Sequence, residues 1–454
     1  MIYPLLRSVA AVALRWYYAD VTIVGSERVP TTGPLLVAVN HPNALVDVLV
    51  AGQAVPRRLM FTAKATLFAN PVAAGLLRQL GVVPLRRASD EAVPGSVDRS
   101  RNAQVFDAIA DALASHGAIL IFPEGKSHDE PAVAPLRSGA ARMAMHAKTT
   151  RKVAGIRIVP IGLIFQRKDR PRSRILALVG EPIEVDTFAA EKPRVVADLT
   201  AEIDRGIRTL TLNYSTIEEA EHDARLSRTL SALVRYDAPS VGDAGDLRMH
   251  AGIARLLPRL RAELLDGKTE LRERTMAFEA ALATLDQELQ QHKVSLADLT
   301  ISRDVAPGAV FVARELAVFL VAGPVALWGW INHLLPFGAA LSAGRRVRHS
   351  AADPAMRTIL AGAVFVVTIY MLQGAVVTLL AGPWWGLGYV LSLPIAADIN
   401  LRMQDRLHRA LRRARTYLYF RGKPAVHDQL VRQAIELRAE ALALAGAIGI
   451  VDLN

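Results

Sequence analysis

Leu35-Leu36-Val37-Ala38-Val39-Asn40-His41-Pro42-Asn43-Ala44-Leu45-Val46-Asp47 is the stretch from which the fold is read. Its opening residues form a short apolar run introduced by Gly33-Pro34, which predicts a buried strand that delivers Asn40 and His41 at its end. Pro42 stiffens the following turn, and Asn43 is expected to cap a helix. Asp47 then stands about one helical turn beyond that cap, where its carboxylate can return to the imidazole. A histidine at a strand tip with a carboxylate in reach has the form of a general base and its orienting group, able to take a proton from a hydroxyl near neutral pH. On this fragment alone, capping and turn formation account for the same residues.

A second stretch changes that balance. Ile119-Leu120-Ile121-Phe122-Pro123-Glu124-Gly125-Lys126-Ser127-His128 is another apolar strand, and it runs into a turn with a carboxylate, a glycine and a lysine, where an α/β sheet places its chemistry. Between the two lies Gly81-Val82-Val83-Pro84-Leu85-Arg86-Arg87, a strand ending in paired arginines whose planar forks suit phosphate. A base, an anion clamp and an acidic turn at three strand-to-loop junctions point to one site.

These blocks resemble those of the glycerolipid acyltransferases related to bacterial and plant lysophosphatidate acyltransferases, the PlsC-like proteins, whose signatures are N-H-x4-D, G-x-x-F-I-x-R, F-P-E-G-T-R-S and a final V-P-I/V. The corresponding residues here are 40–47, 81–87, 122–127 and Val159-Pro160-Ile161-Gly162. There are two departures. Five residues rather than four separate His41 from Asp47, which costs little if the extra one lies in the loop before the helix. Lys126-Ser127 replaces Thr-Arg-Ser, so the cation becomes a point charge without a fork. The lengthened spacing, together with Pro123-Glu124-Gly125-Lys126-Ser127 and Ala134-Pro135-Leu136-Arg137-Ser138-Gly139, is similar to the fungal-type glycerol-3-phosphate and dihydroxyacetone-phosphate acyltransferases.

The resemblance implies an α/β domain with a mixed sheet flanked by helices, in which His41, oriented by Asp47, deprotonates an acceptor hydroxyl. It places Asn40, Gly81, Arg86, Arg87, Glu124, Gly125, Lys126 and Ser127 at the acceptor. The donor it implies is an acyl thioester of coenzyme A or acyl carrier protein, with no further cofactor and no metal. The acceptor is glycerol 3-phosphate or 1-acylglycerol 3-phosphate. The alternatives are another lysophospholipid, dihydroxyacetone phosphate, or a non-catalytic lipid-binding protein on the same scaffold.

The chain has 454 residues, 52% of them hydrophobic, no cysteine and a formal charge of +11. Without cysteine, disulfides, thiolate catalysis and cysteine-ligated metals are excluded. The charge suits an anionic membrane face; no zinc-finger spacing or RNA-binding signature favours nucleic acid. A hydrolase-type G-x-S-x-G elbow, a Walker A loop and a dinucleotide fingerprint are all missing from the sequence.

In chain order, residues 1–20 read as an amphipathic helix, interrupted by Arg7 and Arg15, that lies in a membrane interface; core packing is the competing reading. Residues 21–190 form the acyltransferase domain, with a helix expected over 71–80. Residues 191–305, rich in glutamate, arginine, alanine and leucine, read as a helical cytosolic region. Residues 308–400 hold two long apolar blocks, and 401–454 form a basic helical tail. The first block is expected to bend near Gly323-Pro324 as a re-entrant hairpin. The second is expected to be a helical pair broken at Gly382-Pro383-Trp384-Trp385. Arginines at 345–357 and 402–415 then face the same side as the catalytic domain, giving an integral membrane protein with that domain on the cytoplasmic face.

Overall fold

Leu35–Val39 does form a strand, β2, and all five of its residues are withdrawn from solvent. A strand with no polar face belongs inside a parallel sheet covered on both sides. β2 lies between β5 (Ala118–Ile121) and β6 (Arg157–Phe165), parallel to both, with Ala38 opposite Ile121 and Pro160. The computed structural model describes residues 2–64, 71, 74–75, 82–85, 99–168, 170–189, 192–234, 247–257, 269–302, 304–345 and 353–447. The chain divides into two units, Met1–Ile217 with Val347–Met356 and Glu218–Arg346 with Arg357–Asn454.

In the first unit β1 (Asp20–Val24), β3 (Leu59–Lys64), β4 (Val82–Leu85), β7 (Arg174–Val179) and β8 (Ile183–Glu184) complete the sheet. The order is β1-β7-β6-β2-β5-β3-β4, with β8 also on β6. Only β7 and β8 run antiparallel to β6, so the mixed sheet expected from the sequence is present. One face is closed by α3 (Arg99–Ala114), α4 (Gly139–Thr150) and α5 (Val195–Leu210), where Ile109, Leu113, Ala144, Leu199 and Ile203 pack with Leu36, Ala38 and Ile119. The α/β layer therefore extends past residue 190, because α5 buries its apolar stripe on this sheet.

The other helices of this unit are α2 (Leu45–Ala54) and α1 (Ile2–Tyr17), which pack on each other. Arg7 donates to Gln53 O at 3.1 Å, and Gln53 Nε2 donates to Arg7 O at 2.9 Å. Leu14 and Tyr17, with Tyr18 just beyond the helix, are buried while Leu5, Val9 and Val12 are exposed, so one face of this helix packs on the core.

The second unit is helical: α6 (Ile217–Val234), a stretch over 247–257, α7 (Thr269–His292), α8 (Val305–Arg345), α9 (Asp353–Ala381), α10 (Pro383–Gly422) and α11 (Pro424–Ala447). Leu282, Leu285 and Leu289 of α7 share one core with Leu430, Ala434 and Leu444 of α11. Beyond α5, the described helices of the region read as 191–305 thus share one core with α11 of the tail read as 401–454, rather than forming separate pieces. The first apolar block is not a hairpin. It is a single helix of 41 residues, about 60 Å long, with Pro324 and Pro336 inside it. A proline costs one main-chain hydrogen bond and bends a helix, which falls short of reversing it. The second block breaks at Gly382, as expected.

α8 and α10 are antiparallel. Glu315 takes both a 2.6 Å and a 3.1 Å bond from Arg406, Gly329 faces Ala396, and Tyr389 donates to Asn332 Oδ1 at 2.5 Å. Among the described residues two helical segments, Val305–Ala343 and Ala355–Ala381, are long and apolar enough to cross a membrane, and most of their large apolar side chains are exposed.

Candidate active site

β2 stops at Val39, opposite Ile161 of β6, and the next residue locks that register. Asn40 is buried and spends both ends of its amide on Leu163, accepting from its N–H at 2.7 Å and donating to its carbonyl at 3.1 Å. The His41 N–H then donates to Glu124 Oε1 at 2.6 Å, tying the strand tip to the acidic turn beyond β5.

The chain turns through Pro42, Asn43 and Ala44 before α2 begins at Leu45. Asn43 is therefore not the helix cap. Its side chain turns inward, donating to the Tyr18 hydroxyl at 2.9 Å, and Ala44 precedes the helix instead. Ala44 has φ 48°, a backbone that a residue with a Cβ rarely adopts, and its N–H donates to Ser127 Oγ at 3.1 Å. The fifth intervening residue is taken up in this loop, so the longer spacing does not carry Asp47 away from the histidine.

His41 Nδ1 and Asp47 Oδ2 are 2.9 Å apart, and the same oxygen accepts the Asn43 N–H at 2.7 Å. A carboxylate oxygen only accepts, so Nδ1 carries a proton, and in the neutral imidazole the lone pair is then on Nε2. Phe122 stacks on the imidazole with centroids 3.9 Å apart and planes 15° from parallel. Asp47 is fully buried. Burial pushes its carboxyl above the usual carboxylate value, opposed by the His41 hydrogen bond and charge, the Asn43 N–H and the charge of Lys168. Asp47 Oδ1 meets no donor among the described residues.

Glu124 is a second buried carboxylate with every oxygen engaged. Oε1 accepts the His41 N–H, while Oε2 accepts the Ala134 N–H at 2.8 Å and the His128 imidazole. His128 Nδ1 accepts the Glu130 N–H at 3.2 Å, which leaves its Nε2 as the donor to Glu124. Gly125 has φ 78°, and a Cβ there would stand 2.9 Å from Arg137 Cδ, so the turn requires glycine.

Of the residues singled out in the sequence, Asn40, His41, Asp47, Glu124, Gly125 and Ser127 come together. Lys126 is mostly exposed and lies 3.7 Å from Glu130, a surface pair worth little. Gly81, Arg86, Arg87 and most of the helix expected over 71–80 lie outside the described residues; β4 ends at Leu85, beside Lys64 of β3. Sequence reasoning gave no role to Phe122, His128, Tyr18 or Lys168. The i,i+4 spacing of Glu124 and His128 was a usable signal, whereas nothing in the charged turn Gln166-Arg167-Lys168 marks the lysine.

With this geometry in view, comparison with known proteins is specific. Residues 20–164 match the family model described as Acyltransferase. Glycerol-3-phosphate O-acyltransferase 2 of Saccharomyces cerevisiae is 32% identical over 148 residues, 31% of this chain and 20% of that protein. Glycerol-3-phosphate O-acyltransferase 1 of the same yeast is 31% identical over 25% of this chain and 16% of its own length. An uncharacterized acyltransferase of Schizosaccharomyces pombe is 23% identical over 53% of this chain and 49% of that protein. The chain thus spans half or less of the curated relatives it matches. The crystal structure of the 1-acyl-sn-glycerophosphate (LPA) acyltransferase PlsC from Thermotoga maritima, 19% identical, covers 47% of this chain and 82% of that one with a TM-score of 0.36. Residues 20–164, the segment that matches the Acyltransferase family model, include the His41–Asp47 pair and the Glu124 turn.

Proposed function

We propose that this chain is a membrane-bound O-acyltransferase that moves a fatty acyl group from an acyl thioester to a hydroxyl of a glycerol-phosphate acceptor, with glycerol 3-phosphate first among the candidates. The observation that carries the reading is the His41–Asp47 pair, closed at 2.9 Å at the end of a buried strand within the acyltransferase-family segment. His41 Nε2 takes the proton of the acceptor hydroxyl as its oxygen attacks the thioester carbonyl. The tetrahedral centre collapses with cleavage of the C–S bond, and the thiolate leaves as the thiol of coenzyme A or acyl carrier protein. Base and alcohol are held together in one complex, so no covalent acyl-enzyme is required. Asp47 stabilises the imidazolium as it forms.

In this reading Arg86 and Arg87, with Lys126, hold the acceptor phosphate, and Gly81, Gly125 and Ser127 shape its surroundings. Asn40 and Glu124 act one step back, through the main chain of Leu163 and His41. α8 and α9 sit in the bilayer, α1 rests its exposed Leu5, Val9 and Val12 on the surface, and the catalytic unit faces the cytoplasm. The relatives' names favour glycerol 3-phosphate over the other acceptors. The test is transfer by the purified protein from long-chain acyl-CoA and acyl carrier protein thioesters to a panel of glycerol 3-phosphate, dihydroxyacetone phosphate and lysophospholipids. Turnover of none of them would favour a non-catalytic lipid-binding protein.

A further inference from the structure

The connection between β6 and β7 carries a lysine to which the acyl-transfer scheme above gives no part. Lys168 is largely withdrawn from solvent, and its ammonium meets three acceptors: Pro42 O at 3.3 Å, His128 O at 3.2 Å and Asp129 Oδ1 at 2.5 Å. Pro42 belongs to the turn between His41 and α2, and the other two to the loop that follows Glu124. The carbonyl of the same residue accepts the Asn43 side-chain amide and the Tyr18 hydroxyl, each at 3.4 Å. Residue 168 therefore holds the His41 turn through its side chain and its main chain together.

Several titratable groups belong to the hydrogen-bond network that holds the His41–Asp47 turn. His41 comes from the β2 tip, Tyr18 from the end of α1, Glu124, His128 and Asp129 from the acidic-turn loop, and Lys168 from the β6–β7 connection. Asp47 is the sole titratable residue of α2. Among these groups Lys168 brings a positive charge that draws the Asp47 carboxyl down.

We infer that Lys168 is a positioning residue of this site: its ammonium fixes the His41 turn against the acidic-turn loop and keeps Asp47 ionised beside a neutral imidazole. The inference rests on the reading of His41 as the base. In its working form His41 is uncharged, so it gives Asp47 a hydrogen bond without a full charge, while burial works against the carboxylate. Were Asp47 to hold a proton, it would donate to Nδ1. The imidazole would then carry its own proton on Nε2, leaving no lone pair for the acceptor hydroxyl. The positive charge of Lys168, held at the His41 turn, works against that exchange. Asp129, bonded to the same ammonium, tempers the charge.

The test is the pH dependence of kcat/KM for the purified full-length protein, with glycerol 3-phosphate and long-chain acyl-CoA. Lys168→Met removes the charge, so the pH below which activity falls should move up by about half a unit or more. Lys168→Arg should restore most of that position. Asp129→Asn leaves the lysine and removes its counter-charge, so the same limb should move down. An equal loss at every pH in Lys168→Met, with the limb unmoved, overturns the inference, as does a shift in the same direction for Lys168→Met and Asp129→Asn. If Lys168→Met does not fold, the sign of the Asp129→Asn shift still decides. An inactive His41→Ala with an unmoved limb in Lys168→Met would remove this inference alone, whereas an active His41→Ala would remove the base reading beneath it.

Discussion

Asp47→Asn separates the charge of the dyad from its geometry, because both hydrogen bonds to this side chain fall on one oxygen. Oδ2 accepts from His41 Nδ1 and from Asn43 N, and Oδ1 meets no donor among the described residues. An asparagine can place its carbonyl oxygen where Oδ2 stands, keep both bonds, and leave its NH2 at the unpartnered position. The Nδ1–H tautomer survives and the negative charge does not. A hydrogen bond to a charged partner contributes about 1.5–3 kcal/mol and a neutral one about 0.5–1.5. The loss at the transition state, where the imidazole gains its charge, is then about 1.5 kcal/mol, or roughly tenfold in kcat. His41→Ala, which removes the base, should cost at least ~100-fold. The double variant should be no slower than His41→Ala alone, since the carboxylate acts through the ring. The assay is steady-state acyl transfer to glycerol 3-phosphate, after a circular dichroism check that the buried NH2 has not unfolded the protein. An Asp47→Asn loss as deep as that of His41→Ala would refute the shared-oxygen geometry. Near-normal turnover by His41→Ala would refute the assignment of the base itself.

The same carboxyl predicts a stability effect with a definite sign. A folded-state pKa above the unfolded value of about 4 gives stability that is complete below that value and fades as pH rises through the folded one. Asparagine lacks this fading contribution, so the Tm of Asp47→Asn minus that of the wild-type protein should increase between pH 4 and pH 7; scanning fluorimetry at the two pH values checks it. In Gly162→Ala the new Cβ would lie 2.6 Å from both the Cβ and the carbonyl oxygen of Leu210. Such overpacking costs about 1–3 kcal/mol and should lower Tm measurably, and an unchanged Tm would show that α5 is not seated on β6 as described. Arg87→Ala should weaken acceptor binding roughly 10- to 150-fold, seen as a higher KM for glycerol 3-phosphate with the donor KM unmoved. A donor-specific effect would move the clamp to the thioester carrier. Full-length protein should stay with membranes through a carbonate wash, given the exposed apolar faces of α8 and α9; recovery in the supernatant would make them core helices.

The sheet was legible where burial leaves no choice. Leu35–Val39 and Ala118–Ile121 are apolar throughout because each has a strand on both edges and a helix layer to face, and four-to-five-residue runs bounded by Gly or Pro admit little else. The dyad was legible for the same reason: a strand end fixes where the next two residues go. The turn after it was not. Asn43 has the best local propensity for a cap, yet its amide is worth more against Tyr18 in the interior, and the cap position fell to an alanine. Residue 190 misled as a boundary because composition changes there while the packing of α5 does not. Gly323-Pro324 misled likewise, since a proline inside a long apolar helix loses one bond that its neighbours can absorb. Lys168 was beyond reach: its partners are 39 and more residues away, and only the folded sheet brings them to it.

Phe122 lies flat on one face of the His41 ring, while Asp47 holds one nitrogen. A half-turn of the imidazole about its axis would put a C–H against the carboxylate, so the two nitrogens cannot exchange duties between proton uptake and proton return. In the proposed reaction, the proton that Nε2 takes from the alcohol is given by the same nitrogen to the departing sulfur. Both oxygen and sulfur therefore have to pass the same edge of the ring within one turnover, before either substrate leaves. That requirement has a kinetic signature: double-reciprocal plots at several fixed donor concentrations should intersect, as for an ordered or random sequential mechanism, and should not run parallel.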